Sequence, residues 1–166
     1  MFDLAGKVAI ITGSSRGIGR AIAEGMASAG ATVIISSRKQ DMCVEIASAI
    51  NQKLGREAAI PIAANISSKE ALEALVLEAR RLAGPIDILV CNAASNPYYG
   101  PMSGISDEQF RKILDNNVLA NHWLIGMVAP QMVERRDGSI IIVSSIGGLR
   151  GSPVIGDRKS TCLNSS

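Results

Sequence analysis

The chain has 166 residues, of which 47% are hydrophobic and 19% charged, and its formal net charge is +2. This length and composition suit one globular domain and exclude a disordered chain. The small charge, with no run of Lys and Arg among aromatic residues, argues against a nucleic-acid partner. No apolar stretch approaches the ~20 residues of a membrane span, and the first residues lack the basic and apolar regions of a signal peptide. We therefore expect a cytoplasmic protein without a membrane partner.

The cysteines support the same cellular location. Cys43, Cys91 and Cys162 are odd in number and show no Cys-x-x-Cys spacing. This pattern predicts reduced thiols, with neither a disulfide framework nor a metal site.

The first predicted element is a buried strand over residues 8–12, and a glycine-rich turn and a helix follow it. The turn reads Thr-Gly-Ser-Ser-Arg-Gly-Ile-Gly over residues 12–19. Gly13 permits a tight turn out of the strand, Gly17 lets the backbone approach a pyrophosphate, and Gly19 lets the helix pack closely on the sheet. The helix N-terminus offers free N–H groups and a positive dipole end to that phosphate. A strand, turn and helix in this order predict nucleotide binding.

Strands and helices then alternate along the chain. Predicted strands cover residues 32–35, 58–63 and 86–91, and predicted helices cover residues 40–53 and 68–82, with Gly55 ending the first helix and Ser67 or Ser68 capping the second. Pro61 places the third strand at an edge of the sheet, because proline cannot donate a ladder hydrogen bond. The alternation predicts an α/β fold, a Rossmann-type doubly wound parallel sheet with helices on both faces.

Polar residues follow the fourth strand and interrupt the next helix. Residues 92–95 leave that strand at its carboxyl end, where open α/β sheets bind ligands, although a plain turn is the alternative. A helix is predicted from the capping Ser106 to about residue 133. It contains Asn116 and Asn117, which are unfavourable in a helix interior and therefore need a reason. His122 is predicted as a packing or surface residue of this helix.

Residues 140–143 predict a fifth buried strand, with Ser144 and Ser145 at its carboxyl end. A polar pair at this point could simply cap the sheet.

The spacing Thr-Gly-x-x-x-Gly-x-Gly resembles that of the short-chain dehydrogenase/reductase family, and the resemblance runs from about residue 4 to about residue 156. It implies that Ser145 hydrogen-bonds a substrate carbonyl and that Asn117 hydrogen-bonds backbone and supports a proton relay. The cofactor-binding residues that it implies are Gly13, Ser15, Arg16, Gly17, Ile18, Gly19, Ser37, Arg38, Asn65, Ile66, Asn92, Ala93 and Ala94. The chain departs from the family at Cys91 and Ala94, where Asn-Asn-Ala-Gly is usual, and at Asn65 and Ile66, where Asp-Val is usual.

The residues after the second strand predict the choice of cofactor. A protein that binds the ribose 2′-hydroxyl needs an acidic side chain there, whereas this chain has Ser36, Ser37, Arg38 and Lys39. Arginine donates in bidentate fashion to phosphate, and Arg16 can reach the same group. The sequence therefore favours NADP(H) over NAD(H), with a solvated basic turn as the alternative.

The family's catalytic Tyr-x-x-x-Lys is expected near positions 158 and 162. Arg158 and Cys162 stand there. We therefore expect residues 1–156 to be the N-terminal part of one domain, with about five of seven strands, and this chain to be inactive. Residues 157–166 are expected to be a non-native tail, because they match the translation of a DNA-sequencing adapter except at Cys162.

The predicted function is that of an NADP(H)-dependent oxidoreductase that interconverts a carbonyl and a secondary alcohol by hydride transfer. Its partner would be a small-molecule substrate, and the resemblance implies a dimer or tetramer for the full-length form. Two alternatives stay open at this stage. One is a catalytically dead nucleotide-binding module, and the other is an epimerase of the extended family branch.

Overall fold

The structure is a computed structural model that describes residues 3–145. The expected tail at residues 157–166 and the positions expected for the catalytic tyrosine and lysine lie outside these residues. Within them the strands are β1 (Val8–Thr12), β2 (Thr32–Ser36), β3 (Ala59–Pro61), β4 (Ile88–Cys91) and β5 (Ser139–Ile142). The helices are α1 (Gly17–Ser28), α2 (Gln40–Leu54), α3 (Lys69–Ala83), α4 (Asp107–Leu114) and α5 (Ala120–Arg135). A 3-10 turn spans Met102–Gly104, and a π-helical segment, Asp115–Leu119, joins α4 to α5.

The five strands of the described residues form one parallel sheet in the order β3-β2-β1-β4-β5. Ile10 of β1 lies opposite Ile34 of β2 and Leu89 of β4, and all three side chains are buried at the centre of the sheet. Helices cover both faces of the sheet, and the predicted Rossmann-type α/β fold is confirmed. Successive strand residues point to opposite faces, which divides the core into two clusters.

One cluster lies between the sheet and the helices α3 and α5, and its largest buried members are Ile10, Ile34, Leu72, Leu75, Ile86, Leu89 and Leu124. The other lies between the sheet and the helices α1 and α2, and it includes Ile11, Ala23, Val33, Ile35, Ile46 and Val90. Both clusters rest on the same strands, so the carboxyl ends of those strands are held in fixed relative positions.

Local sequence signals correctly predicted several boundaries of helices and strands. Gly55 follows α2 with a left-handed φ of 64°, which is the usual glycine C-terminus of a helix. Ser68 caps α3, and its side chain accepts a hydrogen bond from the Ala71 N–H at 3.1 Å. The strand β3 lies at the sheet edge as Pro61 predicts, although it is only three residues long.

The prediction of an apolar strand over residues 86–91 was wrong at its start. The strand begins at Ile88, and Asp87 before it is a buried carboxylate with 8% of its surface exposed. Its Oδ2 accepts from the Val8 N–H at 2.8 Å, and its Oδ1 accepts from Arg135 Nη1 at 2.7 Å. Arg135 also donates to the Ile86 carbonyl at 2.8 Å. The buried charge is therefore paired, and it joins β1, β4 and α5.

The fifth strand was predicted to be buried, and this was wrong. Ile140, Ile141 and Ile142 are 37%, 41% and 54% exposed. The physical reason is position: β5 pairs only with β4 in the described residues, and no β5 side chain is among the buried members of either cluster. An apolar pattern predicts that a strand will be buried, but it does not predict which element will pack against the strand.

The long helix after Ser106 differs from the prediction in two respects. It ends at Arg135 rather than at about residue 133, and the π-helical segment Asp115–Leu119 interrupts it. Its start is as predicted, with a reciprocal capping box between Ser106 and Gln109. Among residues 3–145, no helix combines the length and apolar character needed to cross a bilayer.

Candidate functional site

The glycine-rich turn between β1 and α1 forms one wall of the candidate site. Gly13 and Gly17 have left-handed φ angles of 66° and 57°, which residues with a Cβ rarely adopt. Arg16 is the N-cap of α1, and no side chain in the described residues caps the first turn. A helix N-terminus without a side-chain cap has N–H groups available for an anion. The turn therefore presents backbone N–H groups at the positive end of the α1 dipole, which is the chemistry that an anionic ligand requires.

The three glycines differ in what surrounds them. A Cβ on Gly19 would collide with Asn92 Nδ2 and with the Gly13 carbonyl oxygen. A Cβ on Gly13 would lie 3.0 Å from Ala93 Cα. A Cβ on Gly17 would meet nothing within 4 Å. Gly13 and Gly19 thus permit close packing inside the protein, while Gly17 faces open space in which a ligand has room.

Hydrogen bonds from Thr12 and Asn92 hold the ends of β1 and β4 together. Thr12 Oγ1 accepts from the N–H groups of Asn92 and Ala93, both at 3.0 Å. Asn92 Nδ2 donates to the Thr12 carbonyl at 2.9 Å and to the Gly13 carbonyl at 3.2 Å. Asn92 was predicted to bind cofactor, and in this structure its side-chain amide supports the glycine turn. Sequence reasoning did not select Thr12, although a hydroxyl at the last position of the strand was a usable signal.

Ser14 connects the glycine turn to β2 through hydrogen bonds. Its buried hydroxyl donates to the Ile11 carbonyl at 2.7 Å and accepts from the Ser36 N–H at 2.9 Å. It was not selected from the sequence, whereas its neighbour Ser15 was. The turn is therefore fixed to both strands that flank β1.

The π-helical segment brings two adjacent asparagines to one loop residue, Ser95. Asn117 Oδ1 accepts from the Ser95 N–H at 2.8 Å, and Asn117 Nδ2 donates to the Ser95 carbonyl at 3.0 Å. Asn116 Nδ2 donates to Ser95 Oγ at 2.7 Å. π-helical turns are frequent at functional sites, and this one explains the unusual Asn-Asn pair. Asn117 was selected from the sequence, but Asn116 and Ser95 were not.

A cleft of about 260 Å³ lies where these elements meet. Its walls include Ile18 of the glycine turn, Asn92 and Ala94 after β4, Asn117 of the π segment and Ser145 after β5. The structure thus brings both residues predicted to be catalytic together with three predicted to bind cofactor. A smaller cavity of about 190 Å³ lies between α1 and α2, away from the strand ends.

Four further residues predicted to bind cofactor lie outside this cleft: Ser37 and Arg38 follow β2, and Asn65 and Ile66 follow β3. Arg38 is exposed, and Ser37 is half-buried with its Oγ 3.2 Å from Cys43 Sγ. Asn65 is exposed, and its Oδ1 accepts from the Ser67 N–H at 3.2 Å. Ile66 packs against the α3 and α5 side of the core. His122 is exposed on α5, as predicted for a surface residue.

Cys91 at the end of β4 is buried, and burial raises the pKa of its thiol to about 11. Since the thiolate is the reactive form, we expect Cys91 to resist iodoacetamide near pH 8, about the ordinary pKa of a free thiol. Mass spectrometry of the Cys91 peptide should show little modification of the native chain and full modification after unfolding in urea. Equal labelling of native and unfolded chains would contradict the buried position.

Three features together define a Rossmann-type α/β protein. They are the parallel sheet, the glycine turn leading into a helix without a side-chain cap, and the cleft at the strand ends. The family model described as short chain dehydrogenase matches residues 7–156. The chain therefore belongs to the short-chain dehydrogenase/reductase family.

Individual relatives agree with this assignment. The protein named dehydrogenase/reductase SDR family member 4 is 43% identical in Homo sapiens over 150 residues, which is 90% of this chain and 53% of that protein. The same protein of Oryctolagus cuniculus is 46% identical over 143 residues, 86% of this chain and 54% of that protein. The chain thus spans about half the length of the curated relatives that it matches.

Two solved structures are similar in fold. A 7α-hydroxysteroid dehydrogenase complexed with NADH and 7-oxo glycochenodeoxycholic acid has a TM-score of 0.89 and 32% identity, with 96% of this chain and 61% of that chain covered. An alcohol dehydrogenase from the archaeon Thermococcus sibiricus, complexed with 5-hydroxy-NADP, has a TM-score of 0.87 and 29% identity. That comparison covers 94% of this chain and 65% of the other.

Proposed function

We propose that this chain is the dinucleotide-binding part of an NADP(H)-dependent oxidoreductase that interconverts a carbonyl and a secondary alcohol. The observation that carries the proposal is the uncapped N-terminus of α1 beside a cleft that contains both Asn117 and Ser145. Family membership and the NADH and 5-hydroxy-NADP complexes of two structural neighbours support it.

The residues present fit a dinucleotide. The first turn of α1 would receive the pyrophosphate, with the open space beside Gly17 giving the backbone access to it. Ala94 would let the cofactor lie close to the end of β4, because its side chain is small. Asn65 and Ile66 would border the adenine, and an amide can hydrogen-bond its edge. The cofactor itself supplies hydride transfer when bound.

Ser145 and Asn117 would act on the substrate side. Ser145 would donate a hydrogen bond to the substrate carbonyl from the cleft wall. Asn117 would keep the loop after β4 in place through its two bonds to the Ser95 backbone and would support a proton relay. A group held in a fixed orientation lowers the barrier because little further ordering is needed during reaction.

The basic residues Arg16 and Arg38 and the hydroxyl of Ser37 support a preference for NADP(H). Both arginines are exposed, and a guanidinium can bind a phosphate through two parallel hydrogen bonds. An acidic residue that would bind a free 2′-hydroxyl is absent from residues 36–40.

We expect the purified chain to bind NADPH at least about tenfold more tightly than NADH, a difference of about 1.4 kcal/mol. Arg38→Ala should remove most of this difference by weakening NADPH alone, because NADH lacks the phosphate. Fluorescence titration with each reduced cofactor measures both affinities. Arg81→Ala, which removes an exposed arginine paired with Glu78 on α3, is the matched control and should change neither affinity.

The titrations test dinucleotide binding and the preference for NADP(H) separately. Equal affinities for NADPH and NADH would contradict the NADP(H) preference while leaving dinucleotide binding in place. Failure of the chain to bind either cofactor would contradict the dinucleotide site itself.

A further inference from the structure

Asn116 is a buried polar residue to which the proposed chemistry assigns no role. Only 4% of its surface is exposed, and it lies in the π-helical segment one residue before Asn117. Burying an amide is unfavourable unless its donors and acceptor find partners. The hydrogen-bond partners of Asn116 therefore indicate its role.

Those partners come from two different loops. Ser67 Oγ, in the turn between β3 and α3, donates to Asn116 Oδ1 at 2.7 Å. Asn116 Nδ2 donates to Ser95 Oγ, in the loop after β4, also at 2.7 Å. One side-chain amide thus bridges two segments that are far apart in the sequence, at the edge of the sheet where the strands end.

Each bridged loop carries a residue proposed to contact the dinucleotide. Ser67 donates its N–H to Asn65 Oδ1, so the bridge reaches the side chain proposed for the adenine end. Ser95 follows Ala94, and Ser95 and Ala94 both line the cleft that holds Asn117 and Ser145. Asn116 is therefore connected to the two ends of the proposed binding surface but lines neither.

We infer that Asn116 is a positioning residue that fixes the β3–α3 turn and the loop after β4 relative to each other before the dinucleotide binds. This inference rests on the proposed function. A surface that is ordered in advance loses less conformational entropy on binding and so gives a higher affinity. Removing the bridge should therefore weaken the dinucleotide without removing any atom that contacts it.

The test replaces Asn116 with leucine, which has a similar size and cannot hydrogen-bond. Ser67 is exposed and Ser95 half-buried, so their hydroxyls can turn to water and the fold should persist. Ser67→Ala and Ser95→Ala each remove one half of the bridge with less disturbance of packing. Ser106→Ala is the control: it removes the capping box of α4 and lowers stability without touching the bridge.

We expect Asn116→Leu to raise the Kd for NADPH about tenfold, or about 1.4 kcal/mol, with a smaller increase for each serine variant. Hydrogen exchange of the ligand-free chain should be faster in the peptides that contain residues 65–68 and 94–97. Ser106→Ala should bind NADPH as the unmodified chain does, even where thermal unfolding shows a similar loss of stability.

An Asn116→Leu chain with unchanged NADPH affinity and unchanged exchange in both peptides would overturn the inference. Equal weakening by Ser106→Ala at matched stability would also overturn it, because the effect would then be a general loss of folding. An unmodified chain that binds neither NADPH nor NADH would instead contradict the proposed function, which this experiment detects separately.

Discussion

Gly19→Val should weaken dinucleotide binding by at least about a hundredfold, or about 2.7 kcal/mol. Even the first carbon of a side chain at this position would collide with Asn92 Nδ2 and the Gly13 carbonyl. Helix α1 would have to move away from the turn, and its N–H groups would leave the positions from which we propose that they bind the pyrophosphate. Overpacking of this kind also costs about 1–3 kcal/mol of stability. Cofactor titration and urea unfolding measure the two effects.

Gly25 offers a matched control on the same helix. A Cβ there would meet nothing within 4 Å, so Gly25→Ala should leave cofactor affinity unchanged. It should also stabilise the chain by about 0.5–1 kcal/mol, because alanine loses less backbone entropy in a helix. If Gly19→Val bound NADPH as tightly as Gly25→Ala does, the close contact of α1 with the glycine turn would not matter for binding.

Asp87→Ala should lower the free energy of unfolding by about 3 kcal/mol, the lower end of the cost of removing one partner from a buried ion pair. The substitution removes the carboxylate that accepts from the Val8 N–H and from Arg135 Nη1. The lower end of the range applies because the Arg135 side chain is 29% exposed and can regain some hydration. Urea unfolding gives the value directly.

Two further variants test whether burial of the Asp87–Arg135 ion pair is the reason for its large contribution to stability. Asp87→Asn keeps a hydrogen-bond acceptor and should lose less stability than Asp87→Ala. Lys7→Ala breaks the exposed ion pair with Asp137, which is 2.7 Å long, and its effect should be within the error of the measurement because exposed pairs are well solvated. If Lys7→Ala lost as much unfolding free energy as Asp87→Ala, the prediction that the buried pair stabilises the fold more than the exposed pair would be contradicted.

The candidate site was only partly predictable from the sequence. Gly13, Gly17 and Gly19 were identified because each has a steric task that only glycine performs. Asn117 and Ser145 were identified by resemblance, and the structure places them on the same cleft. Thr12, Ser14, Ser95 and Asn116 were missed because serine, threonine and asparagine occur in many turns. Their importance depends on hydrogen bonds to residues that the sequence does not show to be near.

The sequence by itself determined the strands β1 and β2, most of β4, the helices between them and the glycine turn. Apolar runs, helical periodicity and glycine conformation are local properties, and local properties can be read from neighbouring residues. Only the tertiary structure decided which side chains those elements bring together. Asp87 interrupts an apolar run, yet it is buried because Arg135 reaches it from a helix 48 residues away along the chain. The isoleucines of β5 have a core pattern but are exposed, because burial depends on what packs against a strand rather than on the strand itself.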